Sequence, residues 1–264
     1  MQLFQDYFQN VSPGIMVAMI IVGGLIVIAS VVSLFVSVFL AIRYVKFNRK
    51  KNSCHMTGQE IARKLLDAQG LQNIRVKSSG SIMFGNSYSH YFKKVRLRRL
   101  TWKKDSVTSL AMASQKSALA VLDKEKDPDM VQRIRLTPLI YFGPLACVPL
   151  ILVGLFLDLF VFQTGGLCAI IAIGVSIAFY ALSFIMSLFI LKTERRAQER
   201  AIELVKETNL ATDEEIDDMS ELFKLYNIQY VNDMILALLE LIFRILQIVA
   251  AVQSNSGSFS NSGN

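Results

Sequence analysis

The hydrophobic pattern divides the chain into long apolar stretches and shorter amphipathic ones. About 20 apolar residues in a helix are enough to cross the ~30 Å hydrocarbon core of a membrane. The first long stretch lacks the basic start and cleavage site of a signal peptide and is too long for one, so we interpret it as a retained anchor. The stretches predicted to form transmembrane helices 1 to 4 are residues 13–42, 138–162, 167–191 and 230–252.

The fourth stretch has two interpretations. It carries Asp233, Glu240 and Arg244, and the last two are four residues apart, so they can pair on one helical face. In a spanning helix these charges should face protein or water rather than lipid. The alternative is an amphipathic helix lying at the interface. The tail that follows, 253–264, is rich in Ser, Gly and Asn and is predicted to be disordered.

Shorter periodic patterns predict a small α+β domain at 43–137. Thr57 and Glu60 form a capping-box pattern at the start of a helix, and Gly70 is a suitable end for it. Later in the domain, Asp105 and Ser106 are capping side chains for a helix in which apolar residues recur at helical spacing. The remaining predicted elements are a strand at 74–76, a turn at 78–81, a half-exposed strand at 93–100 and the capped helix at 106–123.

The segment 192–229 is predicted to form two polar helices, and the second of them is strongly acidic. The 43–137 domain is strongly basic by contrast. We therefore expect the two segments to attract each other, although single surface ion pairs stabilise little. The acidic residues are Asp213, Glu214, Glu215, Asp217, Asp218 and Glu221.

Composition and charge place these elements about a membrane. The 264 residues are 53% hydrophobic with a formal charge of +7, which favours a membrane protein with a modest soluble part. Lys and Arg cluster after the first and third stretches, whereas the 163–166 turn has none. The positive-inside rule therefore predicts that 43–137 and 192–229 are cytoplasmic and that 1–12 lies outside. The predicted fold is a mainly α, multi-pass membrane protein with four hydrophobic helices and a small cytoplasmic α+β domain.

Several segments resemble one bacterial family, the YugP-type membrane zinc metallopeptidases. Residues 56–71, MTGQEIARKLLDAQGL, resemble the family pattern LTGAEVARRILDxNGL. Residues 106–122, SVTSLAMASQKSALAVL, align without a gap with SIAAVAVAAHEVGHAIQ. Further similarity lies at 194–197 and 230–246. The resemblance implies a zincin-like domain at 43–137 and a location in the bacterial cell membrane.

The chain departs from that family at its chemical positions. In His-Glu-x-x-His, two imidazoles on one helical face bind zinc and the glutamate activates a water. The alignment places this motif on Gln115-Lys116-Ser117-Ala118-Leu119, and it places the third ligand, a glutamate, on Ile190. The family's DHYDP motif falls on residues 86–90, where only Tyr88 is kept.

These departures predict a pseudo-peptidase with no metal, no cofactor and no catalytic residues. We expect Leu119 and Ile190 to pack together where zinc would lie, and Glu194 could supply one oxygen ligand at most. The predicted role is a binding or scaffold subunit of a membrane assembly. Its expected partners are membrane lipids and a membrane protein or a second copy, and no nucleic acid is expected.

Two alternatives come from other residues. One is an active membrane peptidase or hydrolase that uses Lys116 with Ser114 or Ser117. The other is a metal site formed by Cys54-His55 with the distant His90, for which an ordinary linker is the favoured interpretation.

Overall fold

The computed structural model describes residues 11–79, 85–162 and 167–261. Within these residues the chain is mainly helical, with one small sheet. A six-residue π-helical segment, Leu157–Phe162, directly follows α5. The elements in chain order are α1 Pro13–Arg49, α2 Gly58–Ala68, β1 Arg75–Ser79, β2 Ser87–Ser89, β3 Lys94–Arg98, α3 Arg99–Lys103, α4 Val107–Glu125, α5 Pro128–Phe156, α6 Leu167–Glu207 and α7 Asp213–Asn261.

The described residues form two compact units. The first unit consists of the described residues within Met1–Leu34, Pro138–Ser187 and Asn232–Asn264. The second unit, Phe35–Thr137 with Leu188–Val231, contains the sheet and the buried core around α4. All the site residues discussed below belong to this second unit.

The sheet has three strands in the order β1-β3-β2. The central strand β3 pairs parallel with β1 and antiparallel with β2, so both Val76 and Tyr88 lie opposite Val95. The strand predicted at 74–76 is found at Arg75–Ser79. The strand predicted at 93–100 is found at Lys94–Arg98, but Arg99 and Leu100 begin the helix α3 instead. The strand β2 was not predicted. The turn predicted at 78–81 is wrong at its start, because Ser78 and Ser79 continue the ladder of β1; its last two residues lie outside the described ones.

The helix α2 docks on the core through close backbone contact. The capping box is present, with the Thr57 and Glu60 side chains each bonded to the other's backbone. At Gly58 a β-carbon would lie 2.2 Å from the carbonyl oxygen of Thr101, so only glycine fits there. Gly70 ends the segment with a φ of +67°, a conformation that favours glycine.

The helix α4 is buried on all sides. Ser106 is its N-cap and accepts from the backbone N–H of Ser109 at 3.1 Å, as the sequence predicts. The sequence predicted one buried face, but every residue from Val107 to Leu122 is buried. Polar side chains in the middle of this helix therefore need partners inside the protein.

The predicted attraction between the basic and acidic segments is confirmed within the second unit. Nζ of Lys50 lies 2.6 Å from a carboxylate oxygen of Glu214 and 2.6 Å from one of Asp218. The carboxylate of Glu215 accepts from the backbone N–H of Ser53 at 2.6 Å. These contacts hold the residues after α1 against the start of α7.

Among the described residues, one helix is long and apolar enough to cross a membrane by length and composition, α1. The other three predicted spans stay predictions. The acidic helix predicted near 213–226 and the stretch 230–252 form one continuous helix, α7, which extends to Asn261. This helix includes the first residues of the tail predicted to be disordered, 253–264, and the disorder of that tail stays a prediction.

Candidate functional site

One buried carboxylate joins three helices of the second unit. Glu194 of α6 accepts hydrogen bonds from two consecutive residues of α4: Nε2 of Gln115 and Nζ of Lys116 each lie 2.9 Å from its Oε2. Its other oxygen, Oε1, accepts from Nη1 of Arg133 on α5 at 2.6 Å. Gln115 and Lys116 align with the family's first histidine and its general base. Both side chains therefore bind a carboxylate here.

Two positive charges stabilise the buried carboxylate of Glu194. The Glu194 side chain is 4% exposed and that of Lys116 is 9% exposed. Burial alone would raise the pKa of Glu194, but the positive charges of Lys116 and Arg133 outweigh it and lower that pKa to about 2. The carboxylate is therefore ionised at physiological pH and serves as the counter-ion of both cations.

Contacts beside the cluster hold α5 and α6 together. Oγ1 of Thr193 donates to the backbone carbonyl of Asp129 at 3.1 Å. Nζ of Lys192 lies 2.7 Å from a carboxylate oxygen of the same Asp129. The buried Thr193 contact therefore helps to position the helical turn that carries Glu194, whereas the exposed ion pair of Lys192 adds little.

The other two family positions, Leu119 and Ile190, are apolar and take no part in the hydrogen bonds of this cluster. Leu119 is 1% exposed and belongs to the hydrophobic core of the second unit. Ile190 is half-buried one helical turn before Glu194, and it is not among the described side chains that pack on that core. The carboxylate that reaches Gln115 and Lys116 comes from Glu194. The sequence indicates Glu194 only as a possible single zinc ligand, whereas the structure shows it as a counter-ion.

The serines of α4 do not form a reactive pair with Lys116. Ser114 and Ser117 are fully buried, and their hydroxyls have no hydrogen-bond partner in the described part of the chain. The Lys116 ammonium is directed to Glu194 instead. A serine nucleophile needs a base within hydrogen-bond distance.

Two residues at the DHYDP positions, Tyr88 and His90, form a separate polar cluster around Asp123 of α4. The hydroxyl of Tyr88 donates a hydrogen bond to Asp123, and Nδ1 of His90 lies 2.7 Å from the same carboxylate. Burial would raise the pKa of Asp123, but these hydrogen bonds lower it overall.

Sγ of Cys54 contacts Oδ1 of Asn52, at 3.4 Å. No group of three His, Cys, Asp or Glu side chains with metal-binding geometry occurs in the residues described.

A cleft of about 520 Å³ opens beside Gln115 and Lys116. One wall is the stretch of α1 from Ser37 to Val45, and the other walls come from β3, α4 and α7. Burial raises the pKa of Tyr226, which lines the cleft, to about 12, so its hydroxyl stays protonated. The charged side chains that line it among the described residues are Arg98 and Lys116, both cationic.

These residues do not fit a zinc ion. Zinc sites in proteins are built from imidazole, thiolate and carboxylate ligands. Only Glu194 belongs to these classes here, and both of its oxygens already bind cationic donors. The Lys116 ammonium also places a fixed positive charge where a cation would have to bind.

Comparison with known proteins gives one family. The model of the family described as "Putative neutral zinc metallopeptidase" matches residues 20–249. A protein of Bacillus subtilis (strain 168) named "Putative membrane protease YugP" is 24% identical over 200 residues, which cover 75% of this chain and 83% of the relative. No solved structure matches the chain.

Proposed function

The chain belongs to this zinc metallopeptidase family, and we propose that it is a member without peptidase activity that acts by binding. The observation that carries the proposal is the ion pair between Lys116 and Glu194, with 2.9 Å between Nζ and Oε2. It occupies the helix segment that aligns with the family's zinc motif. An ammonium only donates hydrogen bonds, so it cannot take the proton that a glutamate base would accept from water.

The ligand positions support the same proposal. The Gln115 side chain donates its amide to Glu194, and Leu119 is a core residue. Neither side chain can replace an imidazole on zinc. The structure does not support hydrolysis by Lys116 with Ser114 or Ser117. Both serine hydroxyls are buried and have no hydrogen-bond partner among the described residues.

We propose that the protein works in the bacterial cell membrane as a subunit or scaffold of a membrane assembly. The apolar helix α1 supports membrane insertion. The basic residues that follow it support a cytoplasmic position for the second unit. The expected partners are membrane lipids and a membrane protein or a second copy of the chain.

Peptidase activity tests this proposal. We expect the full-length protein, purified in mild detergent, to cleave neither casein nor a mixed peptide library, with or without added zinc. The variant Lys116→Glu should also be inactive, since the two histidines are still missing. Cleavage by the wild-type protein that a chelator abolishes would contradict the proposal.

A further inference from the structure

The cleft beside Gln115 and Lys116 combines cationic donors with an apolar wall. We propose that it binds the phosphate headgroup of an anionic membrane phospholipid, with the lipid chains lying along α1. The proposal rests on the proposed function, since it assigns a ligand to a site that has lost its metal chemistry. Its support comes from charge, from hydrogen-bonding capacity and from the apolar wall.

The charge of the site is positive. Lys116 and Arg133 share the single carboxylate of Glu194, so this group of three keeps one net positive charge. Arg98 adds a second positive charge on the cleft wall. No carboxylate is found among the described residues that line the cleft. A phosphate diester would therefore meet uncompensated positive charge.

Arg98 is positioned to bind such a group. Its backbone N–H donates to Oδ1 of Asn86 at 2.7 Å, which ties the end of β3 to the adjacent segment. In the part of the chain that the structure describes, no carboxylate lies within ion-pair distance of its guanidinium. A guanidinium presents planar paired donors that match phosphate oxygens.

Other donors point to the same ligand class. An ammonium has three N–H donors, and Glu194 is the one described acceptor for Lys116. The hydroxyl of Tyr226 lines the same cleft and stays protonated. Phosphate oxygens are acceptors only, so they complement a site in which donors predominate.

The apolar wall distinguishes a lipid from free phosphate. Leu40, Ala41 and Val45 line the cleft from α1, the same continuous helix that carries the membrane-spanning apolar run. Met112 of α4 adds a further apolar surface. Free phosphate would leave these side chains uncovered, whereas the acyl and glycerol carbons of a phospholipid would bury them.

Binding of short-chain lipids to the full-length protein in neutral detergent tests the proposal. The probes are dioctanoyl phosphatidylglycerol, dioctanoyl phosphatidylcholine, inorganic phosphate and an acidic decapeptide. The test variant is Arg98→Gln, and its matched control is Arg96→Gln, which removes the same charge two residues earlier on the same face of β3 and does not line the cleft. Titrations are followed by intrinsic fluorescence and by the melting temperature.

We expect saturable binding of phosphatidylglycerol with a Kd that rises about tenfold or more in Arg98→Gln and changes less than about twofold in Arg96→Gln. Equal effects of both substitutions, equal binding of phosphatidylcholine, or no lipid binding would overturn the proposal. Binding of inorganic phosphate or of the decapeptide in place of the lipid would overturn it too. The zinc content of the same samples distinguishes failure of the lipid site from failure of the proposed function. If the protein contains no zinc and does not bind the lipid, only the lipid site is contradicted.

Discussion

The ammonium of Lys116 and the carboxylate of Glu194 are 2.9 Å apart and both almost fully buried, although 78 residues separate them in the chain. Removing one partner of a buried pair leaves the other charge uncompensated, at a cost of about 3–5 kcal/mol. The pair therefore makes the segment of α4 that aligns with the family's metal motif dependent on α6 for stability.

Replacing Lys116 by methionine should lower the free energy of unfolding by about 3 kcal/mol, at the lower end of that range because Arg133 still compensates Glu194. The matched control is Lys192→Met. Its ammonium lies 2.7 Å from Asp129, but its side chain is 70% exposed. The control should change stability by less than about 1 kcal/mol. Denaturant unfolding in mild detergent measures both values, and equal losses would contradict the buried ion pair.

Acid should destabilise the protein partly through Glu194. Burial would raise its pKa, but Lys116 and Arg133 lower it from 4.5 to about 2. Because the folded pKa is below the unfolded one, the ionised carboxylate adds stability above about pH 4.5, and this stability is lost as the pH falls towards 2. The full contribution is roughly 3 kcal/mol.

The variant Glu194→Gln isolates this contribution. Between pH 6 and pH 2 its stability should fall less steeply than that of the wild type. The other acidic residues with a lowered pKa, such as Asp123 and Glu215, affect both proteins equally. Parallel stability curves over this range would show that Glu194 does not carry the charge described here.

The ion pairs of Lys50 should be weak and sensitive to salt. Its two carboxylate partners, Glu214 and Asp218, each lie 2.6 Å away, but the Lys50 side chain is 38% exposed. Lys50→Ala should cost about 1 kcal/mol at low ionic strength and less at 1 M salt. Lys51→Ala is the control, because its contact with Asp105 is longer, 3.6 Å, and its side chain is 73% exposed. A loss that salt does not change would contradict a surface electrostatic contact.

Cys54 reports on the predicted orientation. Five basic residues between the first span and Cys54 predict that it is cytoplasmic. An impermeant maleimide should therefore label it only after cell lysis. Labelling should be slower than that of a free thiol, because burial raises the pKa of Cys54. Strong labelling of intact cells, compared with a Cys54→Ser control, would reverse the orientation.

The sequence predicts what local interactions decide. The helix predicted at 106–123 is found at Val107–Glu125, and the capping box of Thr57 with Glu60 is present, because each depends on residues a few positions apart. The strand β2 was missed because its three residues carry little pattern of their own and are held by pairing with β3.

The site was predictable only in part. The resemblance identified Gln115 and Lys116 as degenerate positions, but it placed the third ligand on Ile190. The counter-ion Glu194 follows from how α4, α5 and α6 pack, which no local pattern encodes. One signal in the sequence could have indicated it: a lysine inside an otherwise buried helix needs a carboxylate, and Glu194 lies one turn after Ile190.

Elemental analysis measures directly whether the proposed loss of metal chemistry is real. The wild-type protein, purified without chelators and dialysed against metal-free buffer, should contain far less than one zinc per chain. The triple substitution Gln115→His, Lys116→Glu and Leu119→His is the matched comparison. It restores both imidazoles and frees Glu194 from its lysine, so it should retain more zinc than the wild type. About one zinc per wild-type chain, removed by a chelator together with peptidase activity, would show that the protein is an active zinc peptidase.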